Sequence, residues 1–517
     1  MTTTPEVRKA TRREWVGLAV RALACLLYVM DLTVLHLAVP ALSEDLQPTS
    51  SQLLWIIDVY GFMVAGALVT MGTLGDRIGR RRLLLVGAAA FGAVSVLAAF
   101  STTPEMLIVS RALLGIAGAT IAPSTLSLIF HMFTDPRERS LAVGIWISAF
   151  SAGSAVGPVL GGLVLEFFWW GSVFLLALPV MGALLVLGPK VLPEYRDPDA
   201  GRLDLVSAAQ SVVALLAVVF GLKELAAHGI GTRPAVAIGV GIVVGALWVR
   251  RQRRLPDPMI DVALFRLPAF RTALVVNFLS IFVMIGYFLF IGQYLQLVAG
   301  MSPLEAGLWS LPGAIGFVIA SQLAPRVLSH LLPAYVVAGG LAASTAGLLL
   351  LATVQVQGGL PAIVGASVVI SLGMGPVFGL TTEMVVGAAP PERAGAASGI
   401  SETAAELGGA LGIAALGSVA VAIYRGGLAE LPADVPPAAA EAARDTLGGA
   451  IGAAQTLPAG PAAELVAQAQ EAFVAGLQLT SLAAAGIAAA IAVLAAVALR
   501  EPTPEPGPAP APEPCPA

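Results

Sequence analysis

Charge is scarce in this chain: 12% of its 517 residues are Asp, Glu, Lys or Arg, where a soluble chain of this length would carry roughly 25%. That deficit excludes an ordinary soluble enzyme. The 28 basic and 32 acidic residues leave a net charge of −4, so there is no general cationic character with which to hold nucleic acid. Cysteine is almost missing. Cys25 lies in an apolar run and Cys515 near the end, which excludes a disulfide framework and a thiolate metal cluster. Four scattered histidines supply no metal-ligand spacing. No Gly-x-x-x-x-Gly-Lys-Ser/Thr string occurs, which removes the phosphate cradle that an ATP-driven pump needs. No metal and no cofactor are expected, and any energy-requiring work must draw on an ion gradient.

What the chain has in abundance is apolar sequence, 57% of residues. Runs long enough to cross a hydrocarbon core of about 30 Å, about 20 residues each, fall near 16–40, 52–72, 82–100, 106–130, 139–164, 167–189, 203–225, 232–250, 270–297, 305–325, 332–352, 359–383, 395–423 and 474–499. The expectation is an all-α membrane protein of fourteen spans. The first run follows Arg8, Lys9, Arg12 and Arg13, is longer than a signal-peptide core and has no small-residue cleavage site after it, so it reads as a retained span. With the N-terminus in the cytoplasm, 22 of the 28 basic residues fall on the inner side, as the positive-inside rule requires. Both termini are then cytoplasmic. The segment 424–473 becomes an Ala/Pro-rich outer loop whose amphipathic stretches, such as 461–473, read as short helices on the outer face. Residues 501–517 alternate proline with small and acidic residues and are expected to be disordered.

An internal repeat organises the spans. PRERSLAVGIWISAFSAGSAVGPVLGG at 136–162 has a partner in PERAGAASGISETAAELGGALG at 391–412. Each sets a charged turn before a helix carrying glycines four apart, Gly153 and Gly157 in one, Gly408 and Gly412 in the other. The copies fall in the fifth and thirteenth spans, a separation that two six-helix halves with two inserted helices would produce. The domain reading is an N-terminal segment 1–15, a half 16–189, an insert 190–269, a half 270–500 containing the outer loop, and a tail 501–517.

The string GTLGDRIGRRR at 72–82 is the most specific short motif. Gly72 and Gly75 would let the end of the second span approach a neighbour, Gly79 permits a tight turn, and Arg77, Arg80, Arg81 and Arg82 hold the segment at the cytoplasmic surface. Asp76 would accept hydrogen bonds from a neighbouring helix terminus or pair with an arginine. Composition alone would also allow a plain positive-inside loop.

Charges inside spans are costly and mark candidate sites. Asp31 lies roughly 13 Å and Asp58 about 10 Å below the outer ends of their spans, at 1.5 Å per residue, and Arg111 enters the fourth span to a comparable depth. Asp31 is the preferred proton carrier, with Arg111 as its partner; a permanent Asp31–Arg111 ion pair that only holds helices together is the competing reading. Glu402 and Glu406 lie one turn apart on one face of the thirteenth span. Two such carboxylates repel when both are ionised, so the pair suits proton exchange. Pro158, with Gly153, Gly157, Gly161 and Gly162, describes either a hinge or a packing ridge in the fifth span. Met30, Trp55, Tyr60, Trp146, Phe150, Tyr287, Phe290, Tyr294 and Phe378 are the aromatic and sulfur groups that would line a space for a lipophilic cation, although any one of them is as apt to face lipid. His36 lies one turn beyond Asp31 and reads equally as a proton relay or a partner of a backbone carbonyl. Glu166 with Phe167, Phe168, Trp169 and Trp170 reads as an interfacial belt.

The 72–82 string resembles the signature loop of the major facilitator superfamily, and the chain over 14–500 is similar to its fourteen-helix drug:proton antiporter branch. Asp31, Thr33, Ala38 and Pro40 match that branch's first-span motif, Trp55 and Tyr60 its second, Arg111, Gly115 and Gly118 its fourth, and AVGPVLGG at 155–162 its antiporter signature. The resemblance implies proton coupling at Asp31 and Arg111, cation recognition near Asp58, and binding or coupling roles for Glu402 and Glu406. Some relatives carry an aspartate in the tenth span where this chain has Phe317, which implies a narrower response to divalent cations. The resulting expectation is a monomeric, multi-pass transporter of the bacterial cell membrane that expels lipophilic cationic drugs, dyes and quaternary ammonium compounds in exchange for protons, its partners being protons, those cations and membrane lipids. Two alternatives stand beside it. One is export of another cargo, such as an antibiotic made by the host, an amino-acid derivative or a lipid precursor; the remoter one is a sensor or scaffold that no longer transports.

Overall fold

The computed structural model describes residues 9–121, 125, 132–133, 135–194, 204–228, 231–255, 258, 262–328, 331–389, 394–431 and 435–499; the tail expected to be disordered lies outside them. Every regular element among these residues is helical. The helices are α1 (Arg12–Leu46), α2 (Ser50–Ile78), α3 (Arg80–Ala99), α4 (Pro104–Gly118), α5 (Pro136–Phe167), α6 (Ala177–Val191) after the single turn Ser172–Leu175, α7 (Leu205–His228), α8 (Thr232–Gln252), α9 (Pro268–Gln293), α10 (Pro303–Leu328), α11 (Pro333–Leu351), α12 (Leu360–Gly387), α13 (Ala394–Gly427), the short α14 (Pro437–Asp445) and α15 (Leu447–Ala454), and α16 (Ala459–Ala498). Among the described residues, eleven helices are long and apolar enough to cross a membrane.

Helix starts follow the local chemistry. At α2, Thr49 Oγ1 accepts from the Gln52 N–H at 3.3 Å and the Gln52 side chain accepts from the Thr49 N–H at 2.9 Å, a reciprocal cap that satisfies two otherwise orphaned donors. At α4, Thr103 accepts from the Met106 N–H at 3.2 Å and Pro104 opens the helix, where its missing N–H costs nothing. The first span is longer than the apolar run because Glu14 accepts from the Thr11 N–H at 2.5 Å and draws the polar segment into the helix.

The outward faces identify the solvent. Val236, Ile242, Val243 and Leu247 of α8 are each at least half exposed, a continuous apolar stripe that water would not tolerate on a monomer. Lipid is its natural surrounding, and the protein is a multi-pass membrane protein. Helix α8 packs on α7 through Gly241, where an added Cβ would lie 2.8 Å from the Ala214 carbonyl oxygen. One end of this pair is locked by Asp204, whose carboxylate accepts from Arg251 Nη2 at 3.0 Å and Nε at 3.1 Å. Burial pushes the Asp204 carboxyl upward, but the hydrogen bonds from Arg251 and Ser207 outweigh it and hold the carboxyl at about 2.

Helix α7 packs on both α2 and α13, where Phe62, Val219, Ala410 and Ala414 form one buried cluster. The expected outer loop differs from its sequence reading. Residues 461–473 do not form separate surface helices but begin α16, whose 40 residues span about 60 Å at 1.5 Å per residue. The alanine-rich turn between 459 and 474 is polar enough to fall below a hydropathy threshold yet favours helix throughout. Helices α14 and α15 instead fold over the end where α1 meets α2. Ser50 Oγ donates to the Asp445 carbonyl at 2.5 Å, Gln455 Nε2 to Glu44 at 3.1 Å, and Tyr424 to the Ala443 carbonyl at 2.8 Å.

Candidate functional site

The segment 72–82 is more helical than expected. Helix α2 runs through Ile78, and Gly79 alone makes the turn, at φ 109°, before α3 begins at Arg80. A side chain there would be strained and would meet Glu194. Gly75 lies against Arg80, at 3.0 Å from an added Cβ to Cδ, whereas Gly72 has nothing described within 4 Å of that position; the close approach expected of Gly72 is made by Gly75. Arg77 is exposed and Arg80 buried. The side chain of Asp76 lies outside the described residues. The acid that meets a helix terminus here is Glu194, which accepts from the Arg81 N–H at 3.2 Å and pairs with Arg81 Nε at 3.3 Å. Sequence reading missed it because Glu194 lies 113 residues away from Arg81, beyond the apolar run that became α6.

At the middle of the helix bundle, Arg111 is 1% exposed and its Nη1 meets Asp31 Oδ2 at 2.6 Å. Its Nε donates to the Ile56 carbonyl at 3.2 Å, and its guanidinium lies 4.6 Å from the Tyr60 ring centre and 5.9 Å from that of Phe174. The arginine thus ties α4 to α1 and α2 while its charge is met by a carboxylate, a carbonyl dipole and an aromatic face. Glycines make the approach possible: an added Cβ on Gly115 would stand 2.5 Å from the Tyr60 carbonyl oxygen, and one on Gly118 would stand 2.8 Å from the Tyr60 hydroxyl.

Asp58 is also buried, at 1%, but it shares its helix face with Trp55 and Phe62 by the i, i+3 and i+4 spacing. That face turns toward α7 and α13, away from Tyr60 and Arg111. Asp58 and the Asp31–Arg111 pair therefore occupy different sides of α2.

Glu402 and Glu406 lie on α13 as expected, and Tyr28 of α1 donates its hydroxyl to Glu406 Oε1 at 2.5 Å. Tyr28 is the link between the two acidic centres, since its ring lies 6.1 Å from that of Tyr60, the ring beneath Arg111. No sequence signal marked Tyr28, an uncharged residue separated from its partner by 378 positions. Beside Glu402 lies another unanticipated network: Asn277 Nδ2 donates to Ser401 Oγ at 3.1 Å, and Thr381 Oγ1 donates to Asn277 Oδ1 at 2.8 Å, all three side chains being buried. It joins α9, α12 and α13 immediately next to the glutamates.

The aromatic set disperses. Met30 is buried and faces Gly157 of α5. Tyr60 belongs to the arginine cage. Trp55 is half-buried and meets Phe62 edge-on at 6.4 Å. Tyr287 is buried, and Phe290 packs edge-on against Phe473 at 6.2 Å. Tyr294 donates to the Gln355 carbonyl at 2.6 Å, within a π-helical turn. Phe378 is 42% exposed and packs on Phe317 at 6.4 Å between ring centres. The side chains of Trp146 and Phe150 lie outside the described residues. Met30, Tyr60, Tyr287, Phe290 and Tyr294 are all buried among neighbouring helices. His36 Nδ1 is buried with no hydrogen-bond partner among the described residues.

The glycines of α5 form a packing ridge. Added Cβ atoms at Gly153 and Gly161 would lie 2.6 Å from the Leu26 carbonyl oxygen and 2.7 Å from Val34 of α1, and one at Gly157 would meet Thr33. Gly162 and Pro158 turn to α10, where Gly162 abuts the Pro303 carbonyl and Pro158 abuts Gly307. In α13, Gly408 and Gly412 meet the carbonyls of Phe278 and Phe282 in α9. Thus α5 packs on α1 as α13 packs on α9.

Comparison with known proteins agrees with this geometry. The model of the Major Facilitator Superfamily matches residues 21–413. The chain is 45% identical to the multidrug efflux pump LfrA of Mycolicibacterium smegmatis over 93% of its own length and 95% of that protein. It is 34% identical to the methyl viologen resistance protein SmvA of Salmonella typhimurium, over 89% and 93% of the two chains. In fold it resembles a bacterial homologue of the human lysosomal transporter Spinster, with a TM-score of 0.61 at 17% identity over 94% of this chain and 98% of that one. The chain belongs to the major facilitator superfamily, in its multidrug-efflux branch, and is a secondary active transporter rather than an enzyme.

Proposed function

We propose that this protein exports lipophilic cations across the bacterial cell membrane in exchange for protons. The observation that carries the reading is the pairing of two acidic centres inside the bundle, Asp31 with Arg111 and Glu402 with Glu406, linked through Tyr28, whose hydroxyl donates to Glu406 and whose ring lies beside Tyr60. Carboxylates held away from water bind either a proton or a positively charged guest, and that exclusivity is what antiport requires. Each charge moved is worth about 2.3 kcal/mol per 100 mV of membrane potential. Asp31 and Arg111, with Glu402 and Glu406, carry the coupling in this proposal, and Asp58 with Trp55 and Phe378 contributes to cargo recognition. The names of the relatives favour the same cargo class: one is a multidrug pump, the other confers resistance to methyl viologen, a flat aromatic dication.

The proposed architecture is fourteen spans. Helices α4, α5 and α9, whose apolar stretches adjoin residues outside the description, supplement the eleven long ones. The matching α5-on-α1 and α13-on-α9 glycine ridges support two six-helix halves, 16–189 and 270–500, with 190–269 inserted between them. With both termini cytoplasmic, α14 and α15 cap the outer side. The halves meet near that side, where Gln296 Nε2 donates to the Leu37 carbonyl at 2.9 Å and Gly162 abuts Pro303, a pattern that favours an inward-facing arrangement. The α5 ridge and the Gly75–Arg80 turn are the conformational elements that would slide as the halves rock.

The test is ethidium transport in everted vesicles energised by a pH gradient. Wild type should accumulate ethidium, and dissipating the gradient should abolish accumulation. Folded wild-type protein that moves neither ethidium nor a quaternary ammonium compound would overturn the cargo assignment. Accumulation unaffected by dissipation would overturn the coupling.

A further inference from the structure

Helix α8 has no part in the acidic centres, yet its last turns carry the densest basic cluster of the chain, Arg250, Arg251, Arg253 and Arg254. Among the described residues Arg251 alone of these four has an acidic partner, the bidentate Asp204, and Gln252 beside it donates to Ser207 Oγ at 2.7 Å. These two contacts fix one side of the helix end against α7. Residues 246, 249, 250 and 253 share the other side, within about 100° of arc at 3.6 residues per turn. There Ala246, Val249, Arg250, Arg253 and Arg254 line an open cleft of about 420 Å³. Arg250, Arg253 and Arg254 make no ion pair among the described residues. Toward the membrane interior the same stripe continues into Ile242 and Val243, exposed by 62% and 58%.

A surface with three guanidinium groups that have no acidic partner among the described residues at one end and an exposed aliphatic strip at the other fits one kind of molecule, an anionic lipid. We propose that this cleft binds the phosphate headgroup of an anionic phospholipid, with an acyl chain lying along Ile242 and Val243. Guanidinium is suited to this role because its planar donors match phosphate oxygens in pairs, and basic residues at a membrane surface each attract anionic lipid by roughly 1 kcal/mol. The helix end is rigid enough to present the site, since the Asp204–Arg251 lock anchors it to α7. The site requires the chain to lie in a membrane and is independent of what the protein transports.

Native mass spectrometry of the full-length protein in detergent, titrated with phosphatidylglycerol or phosphatidylcholine of identical chains, tests the proposal. Wild type should retain phosphatidylglycerol at least tenfold more tightly than phosphatidylcholine. The triple variant R250Q/R253Q/R254Q should lose most of that preference, the charge-matched control K9Q/R12Q/R13Q should keep it, and the triple lysine variant should retain a weakened preference that shows the fold intact. Equal retention of the two lipids by wild type would overturn the proposal, as would equal losses in the glutamine triple and the control. Inorganic phosphate at millimolar concentration should fail to displace the lipid; complete displacement would assign the cleft to a free anion instead. Ethidium transport in the same preparations reports separately on the export reading.

Discussion

Replacing Asp31 by Asn removes one charge of a pair whose other member is buried. Arg111 is 1% exposed and its Nη1 is 2.6 Å from Asp31. Two unit charges about 4 Å apart at an effective dielectric near 20 attract by about 4 kcal/mol, and breaking a buried pair from one side costs roughly 3–5 kcal/mol because an uncompensated charge remains. The Ile56 carbonyl and the Tyr60 face still serve the guanidinium and return on the order of 1–2 kcal/mol of that. The Asp31→Asn protein should therefore lose about 2–3 kcal/mol of stability. Asp31→Asn combined with Arg111→Gln, which leaves no buried charge, should recover about 2 kcal/mol of that loss. Thermal unfolding midpoints of wild type, both single variants and the double, in one detergent, supply the cycle. A double variant no more stable than the worse single would refute the electrostatic account. Transport then separates structure from coupling. If the pair handles the proton, the folded double variant should bind ethidium yet fail to accumulate it under a pH gradient. Gradient-driven accumulation by that variant would leave the pair as a strut and place the proton at Glu402 and Glu406.

Three further outcomes are expected. Tyr28→Phe keeps the ring and removes the hydroxyl that reaches Glu406; a hydrogen bond to a charged group is worth roughly 1.5–3 kcal/mol, so ethidium efflux should fall several-fold, and adding Tyr28→Phe to Glu406→Gln should lower it no further than Glu406→Gln alone. Gly153→Leu should abolish folded protein on size-exclusion chromatography, because even a Cβ would stand 2.6 Å from the Leu26 carbonyl, whereas Gly72→Ala, with nothing described within 4 Å, should be tolerated or slightly stabilising. Asp204, held at about 2 against an ordinary 3.8, favours the folded state while ionised: its contribution is fully present above about pH 4 and is lost as pH falls through about 2. Acid unfolding monitored by tryptophan fluorescence should therefore show less pH dependence in that window for Asp204→Asn than for wild type.

The course of the backbone was largely legible, because apolar runs of about 20 residues have one stable form in lipid. Even the extent of α13 follows from its glycine-rich run. The start of α16 was not legible, since alanine-rich sequence of middling polarity reads equally as surface helix or as an extension of a span, and only packing decides. The Asp31–Arg111 pair was visible as a possibility, because two opposite charges in hydrocarbon must find each other. Tyr28, Asn277 and Glu194 were invisible for a common reason: each acts through a partner far away in sequence, and an uncharged or interfacial side chain carries no cost that would flag it. The aromatic and sulfur set was not legible as a unit for a different reason, since composition cannot tell a lining from a core.

The placement of α7 changes what the bundle presents to the bilayer on one side. By setting Val219 into the groove between α2 and α13, against Phe62, Ala410 and Ala414, it stoppers one flank of the bundle against the surrounding bilayer. The opposite flank is a direct seam of α5 on α10, with Gly162 against Pro303 and Gly307 against Pro158. The α7–α8 hairpin thereby makes the two flanks unequal, one sealed by a third helix and the other by two helices in contact.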